Sequence, residues 1–184
     1  MRIGKLESPC SITNTWTVAY DSGELLAAAT SFTISGLDGN TDEEYTLITR
    51  VVCGAGGGGV RLRFNNDATN GNYGYQQMYG VAASAAASRV TLDTGIKYIG
   101  YDLSLNEFGF GSMTIYAKSG YIRTIISNTG ESISGTTVNS IRNLGGVWNN
   151  TADNIISMAI IAEIASGLGI GSRFILLKKV TSTS

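Results

Sequence analysis

Val60-Arg61-Leu62-Arg63-Phe64-Asn65-Asn66-Asp67 is the stretch whose reading decides the fold. Val60, Leu62 and Phe64 alternate with Arg61 and Arg63, the period of a strand with one buried face. The run ends in a polar Asn-Asn-Asp tip, turns through Gly71, and returns as Asn72-Tyr73-Gly74-Tyr75-Gln76-Gln77. The same period recurs along the chain. Ile12, Asn14, Trp16, Val18 and Tyr20 share one face, and Phe32 and Ile34 make a short strand. Tyr45, Leu47, Thr49 and Val51 oppose Thr46, Ile48, Arg50 and Val52; Met113, Ile115 and Ala117 alternate with Thr114, Tyr116 and Lys118. Ile122, Thr124 and Ile126 follow, and Arg173 to Val180 closes the pattern.

Between these runs lies turn chemistry: Gly36 to Asn40, Gly54 to Gly59, Asn70-Gly71-Asn72, Gly109-Phe110-Gly111, Ser119-Gly120 and Gly167 to Gly171. With 24 Gly and one Pro, short strands punctuated by glycine predict an all-β, antiparallel sandwich or barrel. Val81 to Ser88 has helix propensity but is too short to stand alone, so it reads as an extended or irregular connection. Asp153 to Ile164 could be a helix capped by Asp153. Its Ile density favours a strand apolar on both faces, placed centrally or under a neighbouring subunit.

The 184 residues and 19.4 kDa suit one domain that buries roughly 70% of its unfolded area. Charged residues make up 15% of the chain, against about 25% in average proteins, and the net charge is −1. No basic block is present to bind a phosphate backbone, so no nucleic acid is expected. No apolar run approaches 20 residues, so no membrane span is expected. Met1 to Lys5 leads into no apolar run, so no secretory leader is expected.

The absence of histidine removes Ser-His-Asp and Cys-His activation and every His-ligated metal site. Paired-carboxylate chemistry remains formally open, but the acids, Asp38 and Glu163 among them, sit mostly in turn or strand-edge contexts. No enzyme activity and no cofactor are expected. Cys10 and Cys53 fit no metal motif; buried thiols are the plainer reading and a disulfide the alternative. Cys53-Gly54 to Gly59 reads as a flexible hairpin tip, since a β-patterned strand and not a helix follows it.

Three groups are candidate sites. Asn65, Asn66 and Asp67 form an oxygen-rich loop, a weak calcium candidate whose plainer reading is Asx-turn hydrogen bonding. Tyr73, Tyr75, Tyr79 and Trp148 could contact a glycan or a partner protein. Ile156, Met158, Ile160 and Ile161 are candidates for an oligomer interface, because a lone sandwich has little use for apolar residues on both faces of one strand.

Phe32 to Val51, Arg61 to Tyr79, Ser112 to Asn128 and Gly145 to Arg173, in that order, resemble the jelly-roll-type β-sandwich virion proteins of tailed bacteriophages. The resemblance covers most of the chain after residue 30. It implies a sandwich over residues 31–184, with residues 1–30 supplying the N-terminal segment and first strand. It implies a structural protein without cofactor, made in the host cytoplasm and located in the virion. The first reading is a capsid-surface decoration or cement protein; the alternative is a tail-associated receptor- or glycan-binding module. The implied partners are a major capsid or tail protein, a host-surface glycan in the alternative, and copies of the chain itself, with a homotrimer favoured by lattice symmetry.

Overall fold

The computed structural model describes residues 12–56, 58–97, 105, 107–132 and 136–183. In chain order the strands are β1 (Ile12–Asp21), β2 (Ser31–Ser35), β3 (Glu44–Val52), β4 (Val60–Phe64), β5 (Tyr73–Val81) and β6 (Ser84–Asp93). They continue as β7 (Ile96–Lys97), β8 (Phe108–Tyr116), β9 (Arg123–Ser132), β10 (Val138–Trp148), β11 (Ser157–Ala162) and β12 (Arg173–Thr183). A single helical turn, α1 (Gly39–Asp42), is capped by the Asp38 carboxylate, which accepts from the Asn40 and Thr41 amides. The chain is an all-β, antiparallel sandwich. Its large sheet runs β1-β12-β3-β8-β9-β10-β5-β6 and its small sheet runs β2-β11-β4-β7.

The core lies between the sheets, and alternation selects it. Tyr45, Leu47 and Val51 of β3, Met113 and Ile115 of β8, and Phe174 and Leu176 of β12 point inward from the large sheet. Ile34, Leu62, Phe64, Met158 and Ile160 meet them from the small sheet. Trp148 is fully buried, with its ring centroid 5.3 Å from Phe64 and 6.4 Å from Tyr73. Arg123 is also fully buried and places its guanidinium 5.3 Å from the Trp148 ring centroid. It donates to the carbonyls of Ala117, Tyr121, Asn150 and Asp153, so the buried charge is met on every side by oxygen.

Several sequence expectations change here. Val60–Phe64 and Tyr73–Val81 are not a hairpin: β4 belongs to the small sheet and β5 to the large one, and the Asn-Asn-Asp tip carries the chain across. Gly54 to Gly59 likewise joins β3 of the large sheet to β4 of the small one and is not a hairpin tip. It is pinned by close backbone approach. A Cβ on Gly54 would lie 2.3 Å from the Ser166 carbonyl oxygen, and the Gly169 amide donates to Val52 O at 2.7 Å.

Gly109 and Gly111 form no turn. They are inward-facing positions of β8, and a Cβ on Gly111 would meet Thr129 Cγ2 at 2.8 Å. Val81 to Ser88 is the tight β5–β6 hairpin, turning at Ala82 with φ +51°. A register shift between Val18 and Tyr20 turns Tyr20 inward onto Phe32, while Trp16 and Val18 stay exposed. Asp153 to Ile164 does contain a strand, β11, central between β2 and β4.

Candidate functional site

The fold separates the candidate residues. Tyr73 and Trp148 are fully buried and Tyr75 nearly so, which removes them as a glycan-stacking surface. Tyr73 receives the Phe64 amide on its hydroxyl at 3.0 Å, and burial pushes its phenol pKa up. Tyr75 donates to Asp93 at 3.3 Å. Tyr79 is half-buried, with the Arg142 guanidinium 4.8 Å from its ring centroid. Tyr73, Tyr75 and Trp148 serve the core through their area and satisfy their polar tips internally.

The Asn65–Asp67 loop is committed to its own hydrogen bonds. Asn65 Oδ1 accepts from the Ile156 and Ser157 amides, and its Nδ2 donates to Asn154 O at 2.7 Å. Asp67 accepts from Trp148 Nε1, Asn72 Nδ2 and the Thr69 amide, each at 2.8 Å. Burial alone would raise its pKa; these donors outweigh burial and hold it at about 2. Asn65 and Asn66 adopt φ +51° and +54°, turn conformations open to asparagine. No cluster of three or more Cys, Asp or Glu side chains placed to hold a metal ion exists among the described residues.

Met158 and Ile160 are fully buried in the sandwich's own core, so they are not the interface suggested by their apolar strand. Ile161 is half-buried and Ile156 is exposed outside any strand. Cys53 is buried, its thiol donates to Ala55 O at 2.9 Å, and burial raises its pKa; Cys10 lies outside the described residues.

The inner face of the large sheet continues past the aromatic core as a buried polar layer. Arg142 Nη1 donates to Gln77 Oε1 at 3.2 Å, Gln77 Nε2 to Ser88 Oγ at 2.9 Å, and Ser140 Oγ to Glu131 Oε2 at 2.5 Å. This network fixes the β9-β10-β5-β6 register from within, because each buried polar group requires a placed partner.

The opposite face of the same sheet has another character. Its β1-β12-β3 part holds charges already paired on the surface: Arg50 with Glu24, Arg173 with Asp21, and Lys179 with Glu44. From β8 through β9 and β10 to β5, no outward position carries a charge. Phe108, Phe110, Ile126, Val138, Ile141 and Met78 on this face are each more than half exposed. A shallow apolar depression of about 690 Å³ lies along Met78, Gly80, Ala85, Ala87 and Ile141. Sequence reading passed over this face. Phe110 was hidden between two glycines that looked like a turn. The alternation of β10 is masked by inward-facing Ser140, Arg142 and Gly146. The available signal was the absence of charge from alternate positions of four strands.

No family model matches the chain, and no curated protein matches it. Among solved structures it is similar to an alginate lyase mutant in complex with alginate tetrasaccharide, at 13% identity over 89% of this chain and 86% of that one, with a TM-score of 0.29. It is also similar to a functionally unknown protein from Saccharomyces cerevisiae, at 10% identity over 93% and 96%, with a TM-score of 0.24. At these TM-scores neither likeness carries an argument about fold or function.

Proposed function

We propose that the chain is a non-enzymatic structural subunit of a tailed-phage virion, a surface decoration protein that associates with copies of itself and docks on a capsid or tail protein. The observation that carries this reading is the uncharged, aromatic- and Ile-bearing outer face of β8-β9-β10-β5. Interface cores are depleted of charge and enriched in aromatic residues and Met, and exposed apolar patches of this extent mark interaction sites. The glycan-binding alternative loses three of its four proposed contacts, because Tyr73, Tyr75 and Trp148 belong to the core and only Tyr79 is half-buried. The virion assignment comes from the sequence resemblance; self-association comes from the face.

Immunolabelling of intact particles tests the location, and light scattering of the purified protein tests the association. The expected results are surface labelling and a homo-oligomer that persists in high salt, since screening weakens ion pairs far more than apolar contacts. Unlabelled particles would overturn the virion role, and a stable monomer at micromolar concentration would overturn self-association.

A further inference from the structure

Deepening that reading, we infer that the uncharged face packs against the same face of a second copy across a two-fold axis, in place of the trimer expected from lattice symmetry. The axis runs parallel to the strands, between β9 and β10. Such a rotation lays β8 of one copy over β5 of the other, and β9 over β10, with each row of the sheet kept at its own height.

The rows match themselves under this operation. One row reads Phe110, Gly130, Ile141, Gly80 across β8-β9-β10-β5. Reversed, it sets Phe110 on Gly80 and Ile141 on Gly130, a large side chain over a bare backbone at every contact. The next row reads Ser112, Asn128, Asn143, Met78. Reversed, it sets Asn128 opposite Asn143, two amides able to hydrogen-bond each other across the axis as they do within one copy. The third row reads Thr114, Ile126, Gly145, Gln76. Reversed, it sets Ile126 on Gly145.

The glycines are a second, independent observation. A Cβ at Gly130 or Gly145 would meet nothing within 4 Å, and neither residue has the positive φ that excludes side chains. Nothing inside one copy therefore requires glycine there, although glycine in a strand interior is destabilising relative to Ala. A strand glycine of this kind marks the close approach of something else.

Charge and area favour a second copy as the occupant. A charged partner would bury charges that this face cannot pair, whereas the face itself brings none. Four strands about 4.8 Å apart and about nine residues long present roughly 600 Å² in projection. Side-chain relief carries this toward the roughly 800 Å² per partner of a standard interface. Packed sheets stand about 10 Å apart and their twist rotates facing strands apart with distance from the axis, so the match is tightest at the Gly130 and Ile141 contacts beside it.

The test is a complementary exchange, read by light scattering and sedimentation with circular dichroism as the fold control. Gly130→Ile fills the hole, and the dimer should weaken about 100-fold or more because the overpacking occurs twice per dimer, while the β spectrum stays intact. Ile141→Gly empties the knob and should also weaken it. The double variant Gly130→Ile with Ile141→Gly exchanges knob and hole on facing strands and should restore most of the affinity. Should Gly130→Ile misfold, Gly145→Val tests the third row in the same way. A wild-type oligomer that withstands Gly130→Ile and Gly145→Val would overturn this pairing and leave the structural role standing. A wild-type monomer would overturn this pairing and self-association together, while unlabelled particles would overturn the virion role. Failure of the double variant to recover over Gly130→Ile would overturn the two-fold register.

Discussion

Replacing Asp67 by Asn separates a structural carboxylate from a calcium ligand. Asp67 joins the turn after β4 to the core by accepting from Trp148 Nε1, Asn72 Nδ2 and the Thr69 amide. Its pKa is depressed from the ordinary 3.8 to about 2. At more than about 1 kcal/mol per pH unit, the stabilisation by the charged form is at most about 2 kcal/mol. Asp67 is only part-buried, so solvent screening reduces this to about 1 kcal/mol. The folded-state pKa is lowered, so this stability is fully present above pH 4 and is lost as the pH falls toward 2. Asp67→Asn should therefore lower the Tm by about 2–4 °C at neutral pH, and the gap to the parent should close between pH 4 and pH 2. Thermal melts of both proteins across that range measure it. A gap that is constant from pH 7 to pH 2 would refute the assignment of the stabilisation to the carboxylate charge. A calcium-dependent rise in Tm that Asp67→Asn abolishes would refute the structural reading of the loop.

Two further substitutions probe the packing. Arg123→Met removes the donors that meet four backbone carbonyls, the Ala117 one buried and the others part-buried, and should lower the unfolding free energy by about 3 kcal/mol; an unchanged denaturant midpoint would show that those carbonyls find other partners. Gly169→Ala places a Cβ 2.9 Å from the Gly54 Cα and amide nitrogen, and should cost about 1–3 kcal/mol by thermal denaturation; a neutral effect would mean that the loop yields freely.

The fold class was legible because strands such as Glu44–Val52 and Val60–Phe64 alternate strictly and bury one set of side chains. Sheet membership was not. Nothing local distinguishes a chain that doubles back as a hairpin from one that crosses between layers, and β4 to β5 crosses. Amphipathic aromatics were misleading for a physical reason. Tyr73 and Trp148 have polar tips that look made for a surface, yet Phe64 and Asp67 satisfy those tips inside. The apolar β11 was placed correctly at the centre of a sheet, but its burial comes from its own chain and not from a neighbour. The outer face depends on rows that combine Phe110, Gly130, Ile141 and Gly80, residues brought together only by pairing register.

The pairing of β1 with β12 has a mechanical meaning. Ile12 lies opposite Thr183 at one edge of the large sheet, so chain attached before β1 and chain attached after β12 leave from neighbouring points. Tension between those two attachments pulls along the hydrogen bonds of this ladder, across the strands, and not along the strand axes. The rungs then open in succession, as in a zipper, and the strands do not resist together as they would in shear. The molecule is thus poorly built as a link in a tethered string. Any load it bears must enter through the broad surface of the sheet, where many contacts share it at once.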